Sequence, residues 1–226
     1  MLNLLFVEAS LELVPRSIAR HRAVTRNAKR EGKAPESMLL DRSLHHHAML
    51  ALPEAEKRGR PDILHFCLLD ALGSPLCRAG RLRPLAHTLN SDFLDFSSEL
   101  RLPRDCYRFR SLMEQLFALG RVPPGVDPPL ITLSRRSLRE VKEDLKPSRT
   151  IVLTSHGEAM KLDELCKQLA AETNPLVFVG AYPHGALREE TLSEADEAVS
   201  VHREALEAWV VTSRLIYEYE KASGLE

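Results

Sequence analysis

The sequence predicts an α/β fold built on a parallel sheet covered on both faces. The first observation is a set of short apolar runs, "TIVLTS", "LVFVGA" and "EAVSV" in the last third, of strand length and largely β-branched. The second is their alternation with helical patterns at 162–171 and 205–220, the arrangement that gives parallel strands crossed by helices. The third is size: 226 residues suffice for one large domain, or for a domain carrying an elaboration.

The elements follow in order. Residues 2–8 of "MLNLLFVEA" form a first strand; the run is too short, and too soon followed by Glu8 and Glu12, for a signal peptide. A helix is expected over 15–33 with Gly32 near its end, then a short strand at 38–40 and a short helix at 44–52. Pro61 opens another helix, at the position where a missing N–H is harmless. Strands are expected at 82–89 and 93–96, and an amphipathic helix at 104–119. The stretch "RVPPGVDPPL" (121–130) cannot be helix interior and marks the expected boundary between two halves. The final helix is apolar on two sides. Leu206, Trp209, Val210 and Ile216 make one face, and Ala208, Val211, Leu215 and Tyr219 the other. It therefore needs two covers, its own sheet and a partner subunit.

Several function classes are excluded. No apolar run approaches membrane-spanning length. Cys67, Cys77, Cys106 and Cys166 show no CxxC spacing and are expected to be reduced and buried, which fits the cytoplasm. Consecutive His45, His46 and His47 point about 100° apart on a helix and cannot converge on one metal ion. GxSxG, HExxH, P-loop and GxGxxG motifs are absent, against hydrolase, kinase and Rossmann readings. No nucleophile is paired with a base, so catalysis would rest on positioning two bound reactants.

Two features point to ligands. Loops "TSHGE", "GAYPHG" and "SVHRE" follow three strands, and ligands of parallel sheets bind at such carboxyl ends. Each loop alone is equally well a tight turn; three at one edge make a pocket. Then the formal charge of −1 hides a basic first half. Residues 15–33 carry seven basic side chains against Glu31 alone, and "RLPRDCYRFR" (101–110) carries Arg101, Arg104, Arg108 and Arg110 with no Lys. A solvated face explains such runs in part, but Arg forks suit phosphate and stack on bases. Arg104 and Arg108 are four apart and share a face if the helix starts there. In "KRGRPDILHFCLL" (57–69), Arg60 abuts an apolar helix and needs a partner, for which Asp62 is placed.

Taken together, "LLDRSLHHHAM", "KRGRPDILHFCLL", "SPL-x-x-x-G-x-L", "RLPRDCYRFRSLMEQLF" and "VFVGAYPHG" resemble, in order and over most of the chain, the SPOUT-class N1-specific pseudouridine methyltransferases of small-subunit ribosome biogenesis, in their archaeal branch. The resemblance implies a single SPOUT-type α/β domain over 1–226, with an inserted α/β extension for RNA within about 38–110. It also implies a C-terminal trefoil knot within about 150–226 that holds S-adenosylmethionine and releases S-adenosylhomocysteine. It implies a homodimer, a small-subunit rRNA hairpin as substrate, and small-subunit ribosomal proteins among the partners. Arg60, Arg101, Arg104 and Arg108 match the family's RNA-contacting arginines, and Asp62 the aspartate that orients the first. The cofactor contacts carry over to Thr154, Ser155 and Gly157, to Gly180, Pro183 and Gly185, and to Ala198, Val199, Ser200, Val201, His202, Arg203, Leu206 and Ala208. The last loop departs from the family, reading "HREALEAW" where relatives carry a Tyr-Pro-Leu-Ser-Ala-like run. Arg110 stands where relatives often have a small residue. Two other functions fit the basic surface, a non-catalytic RNA-binding assembly factor and a tRNA methyltransferase of the same fold.

Overall fold

Residues 1–225 are described by a computed structural model. Its strands are β1 (Leu2–Ala9), β2 (Leu82–Thr88), β3 (Asp92–Phe96), β4 (Arg121–Val122), β5 (Ile131–Arg135), β6 (Arg149–Ala159), β7 (Pro175–Gly180) and β8 (Glu197–Ser200). They form one eight-stranded sheet in the order β4-β5-β3-β2-β1-β7-β6-β8. The strands from β2 to β8 in that order are parallel, whereas β3, β5 and β4 run antiparallel at one edge. The sheet is thus mixed, and only its larger part is parallel as expected. All eight residues of β1 are buried, because it lies between β2 and β7 with both faces covered. This explains its apolar run without alternation.

The helices are α1 (Arg22–Glu31), α2 (Arg42–Met49), α3 (Pro61–Gly73), α4 (Pro75–Arg78), α5 (Cys106–Leu119), α6 (Leu138–Leu145), α7 (Leu162–Ala171), α8 (Glu189–Ser193) and α9 (Ala208–Ala222). On one face Leu2, Leu4 and Phe6 of β1 pack with Leu64 and Leu68 of α3, Phe109 of α5, Leu165 of α7 and Leu215 of α9. On the other face Leu5, Val7 and Phe178 meet Val141 of α6. A smaller cluster of Val14, Ile18, Val24, Ala28, Met38, Leu40 and Met49 joins α1 to α2.

Several expectations are corrected. The helix expected over 15–33 begins only at Arg22, after a separate 3₁₀ turn at Arg16–Ile18, and Gly32 closes it at φ +64°. The strand expected at 38–40 is a single bridge between Leu13 and Leu39. "RVPPGVDPPL" separates no halves: β4 and β5 pair around it at the far edge of one continuous sheet. Asp105 caps α5 by accepting from the Arg108 N–H, so Arg104 precedes the helix and shares no helical face with Arg108. "TSHGE" is the continuation of β6, not a loop, and its pairing with β8 shifts register between Leu153 and Glu158. α9 begins at Ala208 rather than at 205. Cys106 is exposed, unlike the other three cysteines.

Candidate functional site

A cavity of about 380 Å³ opens at the carboxyl end of β7 and beside the middle of β6, where the pairing of β6 with β8 shifts register, and is within the range that holds a small ligand. β6 contributes Thr154 and Ser155, the end of β7 and the turn after it contribute Gly180, Pro183 and Gly185, the turn after β8 contributes Val201, His202 and Leu206, and α9 opens with Ala208. Gly157, Ala198, Val199, Ser200 and Arg203 stand outside its lining. Ala198–Ser200 belong to β8 itself, and Gly157 lies in β6 where its parallel pairing with β8 shifts register. A Cβ on Gly157 would sit 2.5 Å from the Val199 nitrogen, so Gly lets two backbones touch. Sequence reasoning had no sight of Ile63 from α3, Tyr182, Glu204 and Glu207, which also line the cavity.

The turn after β7 is held from behind. Gly185 has φ +103°, and a Cβ there would meet Lys57 Cε at 3.3 Å. Lys57 Nζ lies 4.8 Å from the centre of the Tyr182 ring and donates to Glu8 Oε2 at 2.6 Å. The other Glu8 oxygen accepts from the Arg188 N–H at 2.7 Å and from Thr191 Oγ1 at 2.8 Å. One buried carboxylate at the end of β1 therefore anchors both flanks of the cavity's longest turn. The next residues continue the pattern. Arg58 Nε donates to Glu12 Oε1 at 2.7 Å, and the Arg60 N–H donates to Ser10 Oγ at 2.9 Å. The signal for this clamp was in the sequence: Glu8 and Glu12 close an apolar strand, and charges there need partners.

Arg60 forms a forked pair with Asp62, with Nε to Oδ1 at 2.8 Å and Nη2 to Oδ2 at 2.7 Å. The hydrogen bonds to Asp62 hold the guanidinium pKa above its ordinary value. Asp62 lies in the first turn of α3, where exposed N–H groups and the helix dipole favour a carboxylate. Glu207, on the cavity wall, adds a further favourable charge toward Arg60. One turn on, buried His65 is bonded through Nε2 to the Pro103 carbonyl at 2.7 Å and stacks on Phe109 at 4.2 Å. Burial lowers its pKa, and because a carbonyl oxygen only accepts, Nε2–H is the donor. His65 thereby fixes the 101–105 loop to α3.

Arg101, Arg104 and Arg108 are exposed and, among the described residues, have no carboxylate partner. Arg101 and Arg104 line a groove of about 860 Å³ together with Arg78. Arg110 differs: it is largely covered and pairs with Asp41 at 3.4 Å, which makes it structural. Of the three histidines, His45 is buried against Asn27 at 3.2 Å, while His46 and His47 are exposed. Among the described residues no helix is long and apolar enough to cross a membrane.

The sequence profile of the EMG1/NEP1 methyltransferases matches residues 4–220. The chain belongs to the EMG1/NEP1 methyltransferase family. The ribosomal RNA small subunit methyltransferase Nep1 of Thermococcus onnurineus is 41% identical over 220 residues, spanning 97% of this chain and 98% of that one. Nep1 of Thermococcus kodakarensis is 41% identical over 225 residues, with both chains covered in full. Among solved structures, Archaeoglobus fulgidus Nep1 bound to S-adenosylhomocysteine superposes with a TM-score of 0.87 at 40% identity, with 98% of each chain covered. The EMG1/NEP1 fold of this chain is accordingly the SPOUT-type α/β fold, its sheet flanked by helices.

Proposed function

We propose that this EMG1/NEP1 chain transfers a methyl group from S-adenosylmethionine to N1 of a pseudouridine in a hairpin of small-subunit (16S) rRNA, leaving S-adenosylhomocysteine. We propose further that it acts in the cytoplasm during small-subunit biogenesis, alongside small-subunit ribosomal proteins. The observation that carries this reading is the double duty of α3. Ile63 lines the cavity while the Arg60–Asp62 fork stands at the same helix's start. A bound cofactor and a bound RNA would meet across one rigid turn.

The cavity suits the cofactor. Its turns are short on side chains at Gly180 and Gly185, so backbone amides come close to a ligand. Glu204 and Glu207 place negative charge beside it, complementary to a sulfonium. When bound, S-adenosylmethionine supplies an electrophilic methyl group. Arg60, Arg101, Arg104 and Arg108 would hold phosphates while the target base turns out of its loop, since a stacked base hides its reacting edge. Pseudouridine keeps a proton on N1, whereas the N1 of uridine is tied into the glycosidic bond; the chemistry itself discriminates. Asp62 is engaged by both arms of Arg60, so both of its oxygens are already committed to the guanidinium. We assign it the orientation of Arg60.

Three structural readings accompany the function. A trefoil knot within 150–226 is supported by the strand order β7-β6-β8 and by the backbone contact at Gly157. The RNA-binding elaboration within 38–110 is supported by the placement of all four named arginines there. A homodimer is supported by the outer face of α9, where Trp209 meets Phe66 edge-on at 5.5 Å; Phe66 and Tyr217 are both about half exposed.

The test uses labelled S-adenosylmethionine and paired RNA hairpins that differ only by uridine or pseudouridine. Label on the pseudouridine hairpin alone is the expected result. Label on neither selects the assembly factor, and label on a tRNA instead selects the tRNA enzyme.

A further inference from the structure

Most cations of this protein are spoken for. Lys33, Lys57, Arg58, Arg60, Arg83, Arg110, Arg149 and Arg188 each have a carboxylate partner. Arg20, Arg22, Arg26 and Lys29 do not: among the described residues their side chains carry no ion pair, and all four are exposed. They share that condition with Arg101, Arg104 and Arg108.

Geometry turns three of them into a stripe. Arg22, Arg26 and Lys29 stand at i, i+4 and i+7 of α1 and share one face, about 10 Å long at 1.5 Å per residue. Val24, Asn27 and Ala28 make the buried face, on the opposite side of the helix. The stripe therefore points away from the core. Folding does not account for it. The first turn of α1 has no acidic residue, and Arg22 sits at the end of the helix where a cation is unfavourable. Like charges four apart also repel.

The end of α1 is joined to α5, the helix that carries Arg108. Tyr107, 57% exposed and next to Arg108, donates its hydroxyl to Glu31 Oε2 at 3.2 Å at the end of α1. Lys33, just past the helix, reaches Glu114 of α5 at 2.6 Å. Both contacts lie at the carboxyl end of α1, and Glu31 stands on the side of the helix away from the stripe, so they fix the helix against α5 while the stripe itself stays open to solvent. Tyr107, an exposed ring next to the unpaired Arg108, suits a stacked base at that end of the surface.

We propose that the α1 stripe binds the ribose-phosphate backbone of RNA flanking the methylated hairpin, without reading its sequence. The proposal rests on the function assigned above and extends its site: the arginines of 60 and 101–108 hold the hairpin, and α1 holds what lies beyond it. Charge without base contacts gives affinity that is uniform across flanking sequences and strongly salt-dependent.

The test compares the full chain, the variant Arg22→Gln/Arg26→Gln/Lys29→Gln and a control variant Arg135→Gln/Lys146→Gln, which removes two exposed cations outside α1. Each is titrated with a minimal pseudouridine hairpin and with the same hairpin extended at both ends. The wild type and the control should bind the extended RNA about tenfold more tightly. Their log affinity should fall more steeply with log salt by about 2, the increment for three phosphate contacts. The triple variant should lose both increments while keeping its affinity for the minimal hairpin, its methyl transfer to that hairpin and its denaturation midpoint. Equal loss on both RNAs, or no loss on the extended one, overturns the proposal. So does a stripe that captures poly-glutamate while the RNA salt slope stays unchanged, since the partner would then be an acidic protein. If the wild type methylates no hairpin, the enzymatic reading fails, yet the length-dependent salt slope still decides the role of α1.

Discussion

Lys57 and Glu8 form an ion pair of 2.6 Å with both residues sealed from water, 4% and 3% exposed. Two charges so placed stabilise only as a pair, and removing one leaves the other desolvated. Lys57→Met should therefore cost about 3 kcal/mol, read as the shift of a urea midpoint. Lys57 also backs Gly185 and Tyr182, so affinity for S-adenosylhomocysteine should fall as well. Adding Glu8→Gln to Lys57→Met should recover part of the loss, because no unpaired charge remains. Additive losses in the double variant would show that the pair is not coupled.

Asp62 holds Arg60 in a fork that is about one-third exposed, so the pair adds orientation more than stability. Asp62→Gly frees the guanidinium, removes a carboxylate from the first turn of α3 and adds a glycine there. We expect a loss of about 1–2 kcal/mol from the dipole and propensity effects together. RNA affinity should drop roughly tenfold, equivalent to about 1.4 kcal/mol, with affinity for S-adenosylhomocysteine retained. Arg60→Ala should show the same split with wild-type stability nearly kept. Calorimetry with S-adenosylhomocysteine beside RNA titration separates the two; a variant that loses the small molecule and keeps RNA contradicts the assignment.

Burial lowers the pKa of His45, His65 and His87 below the ordinary 6.5. A histidine depressed in the folded state is protonated first in the unfolded chain. Its contribution is present in full above pH 6.5 and is lost as pH falls from there toward the folded value. Stability should thus decline steadily below about pH 6.5. Denaturant midpoints between pH 8 and pH 5 check this, and His65→Gln should flatten the decline. A midpoint independent of pH over that window contradicts it.

The sequence made β1, β7, α3 and α7 legible because each is a long buried run or a regular apolar stripe. It did not reveal β5 and α6, which are short and about half exposed, with apolar stripes of only two and three residues (Ile131 and Leu133; Leu138, Val141 and Leu145). One signal was available there: Ser137 and Glu140 have capping-box spacing, and the structure shows both of its hydrogen bonds. The sheet order was not legible, since β1 pairs with β2 and β7 from far along the chain. The three segments read as strand-end loops supplied three of the cavity's four sides. Its α3 wall was hidden because Ile63 reads as ordinary core, and only the long-range clamp of residues 57–60 on 8–12 brings it there.

Gly157 gives the sharpest steric test. A methyl group there would fall 2.5 Å from the Val199 nitrogen and 2.6 Å from the Ala198 carbonyl carbon and oxygen, all backbone atoms fixed in β8. Neither strand can yield by a side-chain rotation, so β6 and β8 must separate. Gly157→Ala should cost about 3 kcal/mol, at the upper end for overpacking. Gly32→Ala is the proper comparison. It faces open space, but its φ of +64° disfavours a side chain, so about 1 kcal/mol is expected there from backbone strain alone. Urea midpoints of the two variants should fall in that order. Because Val199 is followed within a few residues by the cavity's Val201 and His202, Gly157→Ala should also weaken S-adenosylhomocysteine binding while Gly32→Ala leaves it unchanged. A Gly157→Ala protein as stable as the wild type would mean that the two strands do not touch at this point, and that the last turn of the cavity is set by something other than their contact.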